Sequence, residues 1–349
     1  MGLKILHSAD WHLGFPFGSF PPEQRKYLTE QMEAIPRSVA DLCRRENCDL
    51  VLLAGDLLDS PGENRYTHIL REALEECDVP VIIAPGNHDH LHGNSPWVRE
   101  NWPENVHIFS GSLSSLAFEN LSCRVWGAGY TSMDCPGLLE NFRAEGPERW
   151  QLAVLHGDPL HHNAPYCPVT PAQLRDSGLH YLALGHIHKE GNFRSGGLCA
   201  WPGAPMGRGF DEPGPKGVYI LELEEKIRLR FVSLDLPEFY DLEVRGGESE
   251  NLPAGRNPEH FYRITLVGEG ETHMERYQEN WKAFPNIQWV DRRLPPPDPW
   301  SRIGEDTLEG VYFRLLREKL EHSGEEDREI IELAAKLSAG ILEHREVAL

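Results

Sequence analysis

Five short motifs in the first 190 residues combine carboxylate, amide and imidazole side chains: Asp10-Trp11-His12, Gly55-Asp56, Gly86-Asn87-His88-Asp89, His156-Gly157-Asp158 and Gly185-His186-Ile187-His188. Without a thiolate among them, these donors suit manganese or iron better than structural zinc. In an extended segment residues i and i+2 project to one side, so Asp10 with His12, and His186 with His188, are each expected to aim into one pocket. Gly55, Gly86 and Gly185 each precede a proposed ligand, where a residue without Cβ lets the backbone turn sharply. Any one of these motifs reads equally well as a turn or a helix cap. Five in succession favour a metal centre built from Asp10, His12, Asp56, Asn87, His156, His186 and His188.

Positioning such a set requires strands that end where the motifs begin. Short β-branched and apolar runs do so at Lys4 to Ala9, Asp49 to Ala54, Val79 to Ala84, Gln151 to Leu155 and Tyr181 to Leu184. Helical stretches lie between them, clearest at Pro22 to Arg45 and Tyr66 to Cys77. The pattern predicts an α/β architecture around a largely buried sheet. Gly217 to Leu223 and Ile227 to Leu234 predict a hairpin that completes this core. Strands at Phe239 to Val244, Phe261 to Val267 and Ile287 to Val290, with a helix-like His273 to Phe284, predict a small α+β cap domain. The run Pro295-Pro296-Pro297-Asp298-Pro299 reads as a stiff connector. Two amphipathic helices follow, behind the capping patterns Asp306-x-x-Glu309 and Ser323-x-x-Glu326. The expected boundaries are 1–236 for the catalytic core, 237–294 for the cap, 295–305 for the linker and 306–349 for a helical segment.

A length of 349 residues accommodates one sizeable core plus smaller modules. The formal net charge of −21 argues against binding nucleic acid by general electrostatic attraction, which needs clustered Lys and Arg. Carboxylates are nevertheless expected around metals, and a partner could carry the basic surface. Seven cysteines without a Cys-x-x-Cys pair indicate reduced, mostly buried thiols, not a disulfide framework. No apolar run approaches the roughly 20 residues of a membrane span, and Met1 to Ile5 lead straight into a strand without a cleavable leader. The expected location is the cytoplasm.

The ordered motifs resemble those of the calcineurin-like metallophosphoesterase superfamily: Asp-x-His, Gly-Asp, Gly-Asn-His-Asp/Glu, a lone His-Gly, and Gly-His-x-His. The resemblance covers roughly residues 3 to 235 and implies a metallophosphoesterase-type layered α/β sandwich. It further implies two divalent ions, Mn2+ first with Fe2+, Mg2+ or Zn2+ as alternatives. Asp56 would bridge them, with Asp10, His12 and His188 on one and Asn87, His156 and His186 on the other. His88 is implied near the leaving oxygen, with Asp89 orienting its ring. Asp10-Trp11-His12-Leu13-Gly14, Leu182 to Lys189, Trp201-Pro202-Gly203-Ala204-Pro205 and Lys216-Gly217-Val218-Tyr219 are similar to the SbcD-type DNA repair exonuclease subunits, particularly their bacterial YhaO-like branch. Some archaeal relatives carry a second functional histidine shortly after the bridging Asp, where this chain has Leu57, Leu58 and Asp59; the role of Asp59 stays open.

That resemblance implies a manganese-dependent DNA exonuclease acting with an SMC-like ATPase of the SbcC or YhaN type, docked on residues 306–343. Packing of those helices on the cap, or a homodimer, are the alternatives. A phosphodiesterase or phosphatase for small nucleotides is the competing enzyme reading, and a scaffold subunit the non-catalytic one. His161 and His162 read as a solvated loop, His7 as packed in the first strand, and His90 and His92 as surface-loop residues. Trp11 reads as packing, with stacking on a base as the alternative.

Overall fold

The computed structural model describes residues 2–60, 64–245, 256–268, 274, 278–279, 281–295 and 297–343. Its first compact unit comprises Met1–Asp241 with Asn257–Arg263, and its second Leu242–Arg256 with Ile264–Leu349.

In the first unit two six-stranded sheets lie face to face. One contains β1 (Leu3–Ser8), β2 (Leu50–Leu53), β3 (Val81–Ile83), β4 (Val106–Ile108), β11 (Gly217–Leu223) and β12 (Ile227–Ser233), in the order β12-β11-β1-β2-β3-β4. The other contains β5 (Ser114–Phe118), β6 (Cys123–Gly127), β7 (Trp150–His156), β8 (Tyr181–Gly185), β9 (Gly191–Ser195) and β10 (Gly197–Trp201), in the order β5-β6-β7-β8-β10-β9. Each sheet is parallel at its centre and antiparallel towards an edge: β1, β2, β3 and β4 run parallel, as do β6, β7, β8 and β10. The expected hairpin β11–β12 joins the first sheet through antiparallel pairing of Leu223 with Leu3 and Tyr219 with His7.

Alternation along the strands explains the layering. Leu3, Ile5, Leu50 and Leu52 face Leu152, Val154, Tyr181 and Ala183 in a core between the sheets. Leu6, Val51 and Leu53 face the other way, onto Leu28, Met32, Val39 and Leu70 of the helices α1 (Pro22–Glu33), α2 (Ile35–Glu46) and α3 (Asn64–Glu75). Ala153, Leu155, Leu182 and Leu184 pack with Leu174 of α5 (Pro171–Ser177) on the outer side of the second sheet. A strand buried on both faces reads as a continuous apolar run, which is why these strands are legible in the sequence. A short α4 (Pro96–Arg99) lies between β3 and β4.

Several details differ from expectation. The helix expected from Pro22 to Arg45 is two, divided at Ala34, with Pro36 in the first turn of the second, where its missing N–H has no helical acceptor to lose. β13 (Phe239–Arg245), β14 (Phe261–Val267) and β15 (Ile287–Asp291) form a three-stranded sheet in that order. Of the helix expected over His273 to Phe284, residues 273, 275–277 and 280 lie outside the described residues; 274, 278 and 279 are helical, whereas 281–283 form a turn. The two final helices are α6 (Leu308–Glu321) and α7 (Glu325–Leu342). The caps of these helices differ from expectation. Thr307, not Asp306, caps α6 by accepting from the Gly310 N–H at 3.1 Å, and α7 starts after Gly324 without a side-chain cap. Phe313, Ile331, Ala335 and Ala339 are buried in this pair, while Leu308, Leu315, Ile330, Leu333 and Ile341 are exposed. Among the described residues, no helix is long and apolar enough to cross a membrane. All seven cysteines are buried free thiols.

Candidate metal centre

The five motifs meet where strands of both sheets end: β1, β2 and β3 of one, β7 and β8 of the other. The segments after β1 and β2 are zipped together. Asp10 N donates to Gly55 O, His12 N to Asp56 O and Leu13 N to Leu57 O, each at 3.0 Å, and Asp59 N returns to Leu13 O at 3.0 Å. Asp10, His12, Asp56 and His186 have φ of 56°, 48°, 51° and 93°. The extended-segment argument for paired projection therefore does not hold locally: left-handed turns aim these side chains. Such backbone costs roughly 1–3 kcal/mol per residue and persists where surrounding hydrogen bonds over-determine it. Gly185 is required by close approach, since a Cβ there would lie 2.1 Å from the Ala54 carbonyl oxygen and 2.8 Å from Ala9 Cβ.

The side chains converge tightly. His12 Nε2 lies 3.3 Å from His188 Nε2 and 3.9 Å from Asp56 Oδ2. His188 Nε2 is 4.0 Å from Asp10 Oδ1. His156 Nε2 is 3.3 Å from Asp56 Oδ2 and 3.0 Å from Asn87 Oδ1. Three groups offer ligand atoms within 4.8 Å of one another: Asp10, His12 and His188; Asp10, Asp56 and His156; and His12, Asp56 and His88. The His186 ring packs against Tyr166 at 4.6 Å and His156 at 5.2 Å between centroids, and its backbone N–H donates to both oxygens of Asp10.

Outer contacts assign the histidine protons. His12 Nδ1 faces Asp59 Oδ1 at 3.1 Å, and His156 Nδ1 faces the Ala54 carbonyl at 2.8 Å. Both acceptors require an N–H, which leaves the Nε2 lone pairs pointing inward in the neutral rings. His188 Nδ1 lies 2.8 Å from Glu212 Oε1 and 2.6 Å from Arg208 Nη2; a cation on its Nε2 would place the proton on Nδ1, where Glu212 accepts it. The buried Lys216 donates to the His188 carbonyl at 3.1 Å.

Buried like this, the charges couple strongly. Burial works against a charged His156, but Asp56, Asp10 and the Ala54 carbonyl outweigh it and hold the ring up at about 9. Burial likewise opposes ionisation of Asp56, yet His156, His12 and His88 keep its carboxyl well below the usual range. Burial and the charge on His156 push His186 down to about 4. Asp56 Oδ2 and His156 Nε2, 3.3 Å apart, thus each favour the charged form of the other.

His88 is exposed at the edge of the cluster, its ring 4.8 Å from that of His12. Its backbone N–H donates to Asp56 Oδ1 at 2.9 Å and its Nδ1 faces the Asp59 carbonyl at 3.3 Å. Asp89 does not orient that ring. Its carboxylate accepts instead from the backbone N–H groups of Gly86 (2.7 Å), Leu57 (2.8 Å) and Leu58 (3.3 Å), binding the β3 loop to the β2 loop. Burial and nearby Asp56 raise its carboxyl to about 6 against those bonds. Trp11 is buried and donates to Ser8 Oγ at 2.8 Å, so it packs and presents no face to a base. His7 is buried between Tyr181 Oη and the Leu184 carbonyl. His161, 72% exposed, pairs with Asp158, and His90 faces the Asn87 carbonyl. Glu212, Arg208 and Tyr166 carry no spacing signal in the sequence and emerge only from the fold.

The residues fit metal ions: inward lone pairs on His12 and His156 face carboxylate and amide oxygens, an array of acceptors that cations satisfy. The family model for calcineurin-like phosphoesterases matches residues 3–190. The chain is 34% identical over 236 residues to the uncharacterized metallophosphoesterase YhaO of Bacillus subtilis, covering 63% of this chain and 57% of that protein. It is 33% identical over 324 residues to the SbcD component of the nuclease SbcCD of Staphylococcus epidermidis, covering 82% and 84% of the two chains. With the SbcD component of the Bacillus subtilis nuclease SbcCD the identity is 30% over 397 residues, covering 98% and 99%. The chain therefore belongs to the calcineurin-like phosphoesterase family. It is a metallophosphoesterase with buried His and Asp groups suited to metal.

Proposed function

We propose that the chain is a two-metal phosphodiesterase that cuts DNA as the nuclease subunit of a complex with an SMC-like ATPase. The observation that carries this reading is the meeting of the ligand candidates at strand ends of two sheets, in a chain similar over nearly its whole length to the SbcD component of SbcCD. Asp10, His12 and His188 would hold one ion and Asn87, His156 and His186 the other, with Asp56 shared. The ions, when bound, supply an activated water and neutralise charge on the phosphate. Asp89 fixes the loop that carries Asn87 and His88. With Nδ1–H donated to the Asp59 carbonyl, the imidazolium form of His88 would carry its second proton on Nε2, from where it could pass to the leaving oxygen and leave a neutral ring.

On this reading residues 1–236 form the nuclease core, 237–294 a cap, 295–305 a connector and 306–343 the ATPase-binding segment. Exposed Leu308, Leu315, Ile330 and Leu333 on α6 and α7 support a partner there, and a basic partner would offset the net charge of −21. That acidity also favours the second reading, a small-nucleotide phosphodiesterase. The test is manganese-dependent hydrolysis of oligonucleotides, nucleotide monophosphates and cyclic nucleotides, with and without the ATPase. Turnover of the small nucleotides but never of oligonucleotides would sink the nuclease reading. Deletion after Pro299 should abolish co-purification with the ATPase while leaving metal content intact.

A further inference from the structure

The two proposed metal positions differ in what stands behind their ligands. Around Asp10, both imidazoles have a carboxylate near the far nitrogen: Asp59 Oδ1 is 3.1 Å from His12 Nδ1, and Glu212 Oε1 is 2.8 Å from His188 Nδ1, which Arg208 Nη2 also approaches, to 2.6 Å. On the other side, His156 has only a backbone carbonyl, that of Ala54, and His186 packs against the rings of Tyr166 and His156. The direct donors differ in the same sense, a carboxylate from Asp10 against a neutral amide from Asn87.

We propose that the two positions are unequal by construction, with Asp59 and Glu212 as positioning residues that make the Asp10–His12–His188 position the tighter one and the first to fill. The inference rests on the dinuclear reading above. A carboxylate accepting the Nδ1–H fixes the ring's tautomer and orientation and raises the donor strength of Nε2, an effect a carbonyl supplies more weakly. Asp59 is the larger lever. The charge of Glu212 is shared with Arg208, whose Nη2 and Nε lie 2.8 and 3.2 Å from its Oε1 and whose backbone N–H reaches Oε2 at 3.0 Å. Asp59 also sets His88 through its carbonyl, so one residue holds a ligand by its side chain and the proton donor by its backbone. Replacing the side chain alone therefore separates the two tasks.

The test is a manganese titration of the metal-free full-length chain, followed by calorimetry and by electron paramagnetic resonance, for the parent, Asp59→Asn, Glu212→Gln and Asn87→Ala. The parent should bind two ions in resolved steps. Asn87→Ala should lose the second step and keep the first. Asp59→Asn, which keeps an oxygen acceptor but not its charge, should weaken the first step about 10–100-fold and leave the second within about twofold. Glu212→Gln should weaken the first step as well. Far-ultraviolet circular dichroism of each metal-free variant separates misfolding from loss of affinity. Two indistinguishable steps in the parent, or an Asp59→Asn variant with an unchanged first step or with both steps weakened alike, overturns the inference alone. A folded parent that binds no manganese overturns the dinuclear reading and the inference with it.

Discussion

His12 and His188 stand 176 residues apart and follow strands of different sheets, yet their Nε2 atoms are 3.3 Å apart. Neither sheet alone makes this pair. The contact exists because β1 and β8 end at the same level on facing sheets, so the centre reports directly on how well the two sheets are stacked.

Asp56→Asn should damage the centre more than any other single ligand change. The Asp56 carboxylate lies near both His12 and His156 at Oδ2 and accepts the His88 N–H at Oδ1. An amide would remove the charge that both proposed positions share. Metal analysis and phosphodiester turnover of the purified variant test this, and near-parental values for both would show that Asp56 is not shared.

His88→Ala should behave differently, because this exposed ring sits beside the ligands rather than among them in the proposed assignment. Manganese affinity should stay within a few-fold while kcat falls roughly 10²–10⁴-fold, the usual contribution of general acid catalysis. A variant that loses its metal instead would move His88 into the ligand set, which its grouping with His12 and Asp56 permits.

Gly185→Ala tests the close packing behind the site. The new methyl would press on the Ala54 carbonyl and Ala9, displacing the backbone that carries His186. Overpacking of this kind typically destabilises by about 1–3 kcal/mol. Urea unfolding of the metal-free variant should show that loss, together with weaker metal binding; unchanged stability would mean that the sheets can separate locally to admit the methyl.

Acid sensitivity should trace in part to His7. Burial pushes its ring down to about 3, against the opposing pull of the Leu184 carbonyl, while an unfolded histidine titrates near 6.5. The folded pKa is the lower one, so the unfolded chain takes up the proton first. His7 therefore imposes no penalty above pH 6.5 and a growing one as pH falls towards 3, roughly 3–5 kcal/mol over the whole window. The slope of unfolding free energy against pH in this range, measured with a chelator present, should flatten in His7→Gln. Parallel slopes for parent and variant would remove His7 from the account.

The central strands were legible because β1, β2, β3, β7 and β8 are buried on both faces and read as unbroken apolar runs bounded by polar motifs. Strands nearer the edges were not. Gly191-Asn192-Phe193-Arg194-Ser195 of β9 alternates exposed and half-buried residues and has no apolar run to mark it. In the site, the ligand types were visible from their motifs, but the conformation that aims them was not, since left-handed φ at an Asp or His leaves no trace in composition. Glu212 reaches His188 from 24 residues downstream, beyond β9 and β10, a separation without periodicity. Asp89 lies next to His88 in sequence, yet adjacency does not decide its partner, because its carboxylate accepts from the N–H of Gly86 in its own loop and from those of Leu57 and Leu58 in the loop after β2.

The pairing of β1 with β11 gives the first strand of the chain a partner made more than two hundred residues later, and the ligands are dispersed on the same scale. During synthesis at roughly 5–20 residues per second, Asp10 and His12 wait on the order of ten to forty seconds before His188 exists. Until then the nascent polypeptide offers a cation only an incomplete chelate. On the proposed assignment, metal loading therefore waits until more than half of these 349 residues have been made, and a product terminated before β8 would lack His186 and His188, one ligand of each position.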